Sequence, residues 1–273
     1  LHTSANPSGA VRGQLGVPPA PPAINKGGIL NNASYNLGST SVAPGSIAAV
    51  FPTVTTNVLA GSTVSATDVP LPTLLGDTQV MVNGAPAPLF FVSPAQINMQ
   101  LSNTLPSGGT ADVQVVHPAS GQIAGGAELQ LTSAAPAMFT SNASGGGQIV
   151  AYNAADGTIN SNTNAVARGQ YIVMYGTGVG PVPNPPADGV GPTGITSAPS
   201  KPLVVIGTST TALPDDNITY SGLAPGLVGV WQLNVLIPAN AQTGSSVSVR
   251  IFQNSIPSVD STSSTGPTTI AIK

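Results

Sequence analysis

Only 5% of the 273 residues are charged and the net charge is −3; there is no cysteine, which excludes disulfides, thiolate metal sites and cysteine nucleophiles. The six basic residues, Arg12, Lys26, Arg168, Lys201, Arg250 and Lys273, are too scattered to neutralise a run of phosphates, so nucleic acid is not an expected partner. No apolar run approaches the roughly 20 residues of a membrane-spanning helix. The weakly charged surface favours association with further copies of the same chain.

The chain begins at Leu1, not Met, which reads as removal of a secretion signal. Residues 1–24 form an N-terminal arm. In Val11-Arg-Gly-Gln-Leu-Gly-Val17 the residues Val11, Gly13, Leu15 and Val17 share one face, the period-two pattern of a half-buried strand. Val17-Pro-Pro-Ala-Pro-Pro22 then reads as an extended spacer. A lone strand must pair with a sheet edge, either of its own chain or of a neighbour, and donating a strand to a neighbour is an established recognition mode.

Beyond the arm, the 32 glycines and 27 prolines leave no room for long helices. The spacing predicts strands at Ser46–Phe51, Gln79–Val82, Ala111–Val116, Glu128–Leu131, Tyr171–Tyr175, Leu203–Ile206, Val230–Ile237, Ser246–Phe252 and Thr269–Ile272. Two stretches recur in the same order. Val42-Ala-Pro-Gly-Ser-Ile-Ala-Ala-Val-Phe51 matches Val166-Ala-Arg-Gly-Gln-Tyr-Ile-Val-Met-Tyr175, and Gln96-Ile-Asn-Met-Gln-Leu101 matches Gln232-Leu-Asn-Val-Leu-Ile237. The expectation is an all-β protein of two tandem immunoglobulin-like β-sandwich domains, residues 25–135 and 136–273, joined by a short linker near Ala134-Ala-Pro136. The second copy carries an insertion, expected as a Pro/Gly-rich loop over Pro181–Pro202.

The order Asn31-Asn-Ala-Ser-Tyr35, Val42-Ala-Pro-Gly-Ser46 and Val82-Asn-Gly-Ala-Pro-Ala-Pro-Leu-Phe-Phe-Val-Ser-Pro-Ala-Gln-Ile-Asn98 resembles the Solibacter C-terminal domain of large secreted acidobacterial proteins. The likeness continues through Ala135-Pro-Ala-Met-Phe139, Asp156-Gly-Thr-Ile-Asn-Ser161, Met174-Tyr-Gly-Thr-Gly-Val-Gly-Pro181 and Tyr220-Ser-Gly-Leu-Ala-Pro-Gly-Leu-Val-Gly229. The resemblance implies a tandem Ig-like fold in a largely uncharacterised family with no agreed catalytic site. One departure is Pro52-Thr-Val-Thr-Thr-Asn57, where the family carries a short Gly-containing continuation. In the family the unit ends a longer protein; here it fills nearly the whole sequence behind a strand-like arm, the pattern of a polymer subunit.

Candidate chemistry is sparse. The two histidines, His2 and His117, have no nucleophile elbow beside them, and Gly176-Thr-Gly-Val-Gly180 lacks the helix and lysine of a phosphate loop and reads as a turn. Glu128 is the only glutamate, and the adjacent pair Asp215-Asp216 reads as a solvated loop. Asn153-Ala-Ala-Asp-Gly-Thr-Ile-Asn-Ser-Asn-Thr-Asn164 is rich in oxygen ligands but has one carboxylate, Asp156, so a hairpin with a tight Asp156-Gly157 turn is preferred to a calcium site. Sequons occur at Asn32, Asn142 and Asn217; Trp231 and Tyr220 could stack a sugar, although the alternation of Trp231 with Leu233 and Val235 favours core packing.

No catalytic residue, cofactor or metal is therefore expected. The expected function is a non-enzymatic, secreted, self-assembling filament subunit whose Val11, Gly13, Leu15 and Val17 strand enters the next subunit. The alternative is a surface adhesion or glycan-binding module using Pro181–Pro202.

Overall fold

The computed structural model describes residues 24–37, 41–52, 59–258 and 266–273. About 46% of the chain is strand, and the one helical turn among the described residues is the 3-10 turn Asp215–Asn217. No helix among them is long and apolar enough to cross a membrane.

The strands form four sheets around two hydrophobic clusters, one drawn from residues between Ile24 and Leu131, the other from residues between Met138 and Ile272. In the first half, one sheet runs Ile24–Asn31, Ile47–Pro52, Ile97–Gln100, Leu89–Val92, Val64–Ser65. The other runs Ser41–Val42, Gln122–Leu131, Gly109–His117, Gln79–Val82, Ala85–Pro86. In the second half, one sheet runs Thr158–Ile159, Ala151–Asn153, Tyr171–Thr177, Trp231–Leu236, Ile218–Leu223, Thr196–Ser197, with Ala137–Met138 paired to Tyr171–Thr177. Its counterpart runs Gly147–Gln148, Thr268–Ile272, Gly244–Gln253, Leu203–Ile206, with Ile256–Pro257 on Gly244–Gln253.

Strict alternation decides which face is buried. Trp231, Leu233 and Val235 point inward while Gln232, Asn234 and Leu236 stay half-exposed, and Val247, Val249 and Ile251 do the same on the opposing sheet. Burial of each large side chain contributes about 1.5–3 kcal/mol. Trp231 is wholly buried and its indole N–H donates to Ser221 Oγ at 3.0 Å, so the polar handle is satisfied inside the core.

The two recurring stretches occupy equivalent strands in equivalent register. Ile47 faces Gln100 and Val50 faces Ile97; the matching residues Tyr171 and Leu236, and Met174 and Leu233, face each other likewise. Val42 and its match Val166 both lie parallel to the last strand of their half, opposite Leu131 and Ile272. Asn31 opposite Ala48 corresponds to Asn153 opposite Ile172.

Several strands differ from the sequence reading. Glu128–Leu131 is the end of Gln122–Leu131, because Gly125-Gly126 continues the strand, paired with Val115 and Gln114, just after a bulge at Ala124. Ile24–Asn31 and Ile218–Leu223 were concealed by Gly27-Gly28 and Ser221-Gly222. Gly222 is required where it stands, because a β-carbon there would overlap the carbonyl oxygen of Thr196 on the neighbouring strand. Thr196–Ser197 also corrects the insertion Pro181–Pro202: part of it is an edge strand.

Candidate functional site

The groups that could do chemistry are dispersed. His117 Nδ1 lies 3.0 Å from the carbonyl oxygen of Asp77, at an exposed strand end. Glu128 accepts from Gln130 Nε2, and Lys201 Nζ donates to the backbone carbonyl of Asp215. Among the described residues no three His, Asp or Glu side chains gather as a metal site.

The oxygen-rich stretch from Asn153 to Asn164 is an asparagine ladder. Its hairpin joins Ala151–Asn153 to Thr158–Ile159 through a four-residue loop, with Gly157 at φ +68° donating to the Asn153 carbonyl. The hairpin expected here is present, with Asp156-Gly157 completing its turn, and Asp156 accepts from the Thr158 amide and hydroxyl, which holds its carboxyl below the usual range. Asn160, 1% exposed, mimics a strand. Its Oδ1 accepts the Ala271 amide and its Nδ2 donates to the Ala271 carbonyl, both at 2.9 Å. The same Nδ2 donates to Asn153 Oδ1, Asn153 Nδ2 to the Asn164 carbonyl, and Gln148 Nε2 to Asn160 Oδ1. The side-chain oxygens of Asn153 and Asn160 face amides, leaving no cage for a cation. The ladder fills the gap beside Thr268–Ile272 between Ile149, which donates to Thr269, and Val166, which donates to Ala271.

The Gly176-Thr-Gly-Val-Gly180 motif is a docking strip, not a turn. The segment from Ser133 to Met138 lies antiparallel to it, with Ala135 N donating to the Gly178 carbonyl at 2.8 Å. β-Carbons on Gly176, Gly178 and Gly180 would overlap the carbonyl oxygens of Ala137, Ala135 and Ser133 in turn. Period two in the glycines matches period two in the carbonyls. Beside the strip, Thr177 Oγ1 donates to the Gly229 carbonyl and accepts the Ile47 amide, and Asn31 Nδ2 donates to the Ala135 carbonyl. The halves thus meet through satisfied polar groups, around a cavity of about 290 Å³ near Asn31, Thr132, Pro136 and Ser258.

The Pro-rich insertion closes this junction from outside. Gly189 N donates to Gln100 Oε1 at 2.6 Å and Leu71 N donates to the Gly189 carbonyl at 2.8 Å. Asp188 Oδ1 accepts from Asn103 N and Nδ2 at 2.9 and 3.0 Å, and Asn103 Nδ2 also donates to the Pro186 carbonyl. Residues 186–189 are therefore a strap bound to the first half. Asp188→Ala should speed amide hydrogen exchange at Asn103, Gly189 and Leu71 at least tenfold while lowering stability by only about 1 kcal/mol. Unchanged exchange at those amides would show that the strap is not held by this carboxylate.

Two further concave surfaces are formed by described residues. At the outer pole of the second half, where Tyr171 faces Leu236, a pocket of about 580 Å³ is lined by Arg168, Thr208, Thr211, Leu213, Asn217 and Gln242 among others. Asn217 Nδ2 donates to the Leu236 carbonyl, so this sequon amide is engaged, whereas Asn142 is exposed. On the outer face of the sheet, Phe139, Val150, Tyr152, Tyr175, Leu227 and Val230 line a groove of about 480 Å³. Tyr152 and Tyr175 meet edge-on at 6.0 Å, and burial raises the Tyr175 phenol above its ordinary pKa. The sequence reading missed this groove; its signal was the pair of tyrosines, Tyr152 and Tyr175, on neighbouring strands. The Trp231–Tyr220 platform does not exist, because Trp231 is core and Tyr220 donates its hydroxyl to the Leu223 carbonyl. Val11, Gly13, Leu15 and Val17 lie outside the described residues, as does His2.

The chain matches no family model and no curated protein.

Proposed function

We propose that this protein is a non-enzymatic, secreted structural subunit of a homopolymer, built from two tandem immunoglobulin-like sandwiches of the kind its resemblance to the acidobacterial secreted domains implies. The face formed by Val11, Gly13, Leu15 and Val17 is the donor strand that joins one subunit to the next. The shared order of the central strands of the two halves supports the tandem reading. The observation that carries the polymer reading is where the described chain starts. Ile24 pairs with Pro52, at the end of the first half away from the second, since Ile47 at the other end of that strand bonds to Thr177. A strand donated from the residues before Ile24 would reach a neighbouring molecule from that end without crossing the junction. Such a head-to-tail contact does not close on itself and generates a fibre.

Electron microscopy of the full-length protein beside a version lacking residues 1–17 tests this. Filaments from the first and monomers from the second are expected, because burial of Val11, Leu15 and Val17 supplies about 1.5–3 kcal/mol each in addition to the backbone ladder. Filaments from both would overturn strand donation. Monomers from both would favour a second reading, a glycan-binding adhesion module, which the aromatic groove around Tyr152 and Tyr175 supports.

A further inference from the structure

The strap has a sequence counterpart. Val182-Pro-Asn-Pro-Pro-Ala187 resembles Val17-Pro-Pro-Ala-Pro-Pro-Ala23 in the arm, and the strap continues into Asp188-Gly189, which binds the first half. The surface that the strap occupies also has a counterpart. By the register of the repeated strands, Gln100 and Asn103 of the first half correspond to Leu236 and Ala239 of the second. Pro88, which precedes Leu89–Val92 and abuts Gly189, corresponds to Asn217, which precedes Ile218–Leu223. Asn217 lines the outer-pole pocket, with Pro238, Asn240 and Ala241 flanking Ala239. What the second half covers on the first is thus left open on the second.

We infer that the proline-rich segment 17–23 of one molecule seats in the outer-pole pocket of the second half of the next, as residues 182–189 seat on the first half within the chain. This deepens the polymer reading and rests on it. The chemistry changes together on both sides. The strap carries Asn184 and Asp188 and meets Gln100 and Asn103; the arm segment is valine, proline and alanine, and the corresponding pole residues are Leu236 and Ala239. Prolines lack an N–H but keep a carbonyl, and Arg168, Asn240 and Gln242 bring N–H donors to the pocket.

Length makes the contact intermolecular. Laid end to end, Ile47–Pro52 and Tyr171–Thr177 separate the two outer poles by about 40 Å, at ~3.3 Å a residue. Seven residues in polyproline II geometry would span only about 22 Å, at ~3.1 Å a residue. Beyond the pocket, Val11–Val17 is then free to run along a sheet edge of the same neighbour.

The absence of native cysteine permits a direct test. Full-length Ala20→Cys protein is mixed with full-length Thr211→Cys protein under mild oxidation; Thr211 is exposed at the pocket rim. The control partner is Leu227→Cys, at the exposed aromatic groove. A disulfide-linked dimer at least tenfold above the control is expected from Ala20→Cys with Thr211→Cys, and a ladder from the double variant. Filaments by microscopy with no excess over the control would overturn pole docking and leave the polymer reading standing. Neither filaments nor cross-links would overturn both. A cross-linked monomer from the double variant, with no dimer from the mixture, would show that the arm folds back and overturn the intermolecular contact.

Discussion

Gly178→Ala is expected to weaken the junction of the two halves more than any other single methyl addition along the glycine strip. Gly178 sits at φ +85°, a conformation that costs an L side chain roughly 1–2 kcal/mol by itself. The new β-carbon would also overlap both the carbonyl oxygen and the carbonyl carbon of Ala135, and these are backbone atoms held by the Ala135–Gly178 hydrogen bond and by Asn31 Nδ2. A flexible side chain could move aside; a segment bonded on both sides cannot do so without opening the junction. The total should be about 3–5 kcal/mol. In a chain of this size that lowers the thermal midpoint by roughly 10 °C, with protease cleavage appearing between residues 132 and 138. Gly157→Ala is the control, since Gly157 has φ +68° but open space around its missing side chain, and should cost only about 1 kcal/mol. Equal midpoints for the two variants would show that the close approach of the Ser133–Met138 segment contributes nothing.

Asn160→Ala is expected to release the last strand of the second half. It removes both bonds to Ala271 and the donor to Asn153 Oδ1, leaving the Ala271 amide and Asn153 Oδ1 buried without partners, while the Ala271 carbonyl keeps the Val166 amide. Each orphaned group costs about 1–3 kcal/mol, so a loss of roughly 3–5 kcal/mol follows, with the Ala271 amide becoming exchangeable far faster than Val249 in the same sheet. Asn160→Asp separates bonding from space filling. It keeps the acceptor for the Ala271 amide but sets a carboxylate against two carbonyl-type oxygens, which raises its pKa in the folded state. The folded form then binds more protons than the unfolded one, so this variant should gain stability as the pH falls through that raised pKa and lose it as the pH rises. A pH-independent midpoint for Asn160→Asp would remove the ladder from the account of stability.

The all-β class was legible from residue types. Glycine and proline at high density, β-branched residues between them and alternating burial leave no competing period, and the recurring Val42–Phe51 and Val166–Tyr175 stretches anticipate strands that share register to the residue. The buried position of Trp231 was equally visible, because its alternation with Leu233 and Val235 assigns it to the inward face of a strand.

What the sequence could not show was the partner of each small or polar residue. A glycine in Gly176-Thr-Gly-Val-Gly180 looks like a turn when only its own flexibility is considered. It becomes a packing site when a second backbone lies against it, and that backbone comes from residues 133–137. Asparagines in a loop look solvated or metal-binding until Ala271, 111 residues away, supplies the amide and carbonyl that Asn160 satisfies. The Pro-rich insertion reads as a free loop until Asn103 and Gln100 anchor it. Local composition and periodicity determine strands and their inward faces, since both depend on neighbours along the chain. Close backbone approach and buried hydrogen bonding depend on groups far apart in sequence, and only the assembled tertiary structure decides which of them meet.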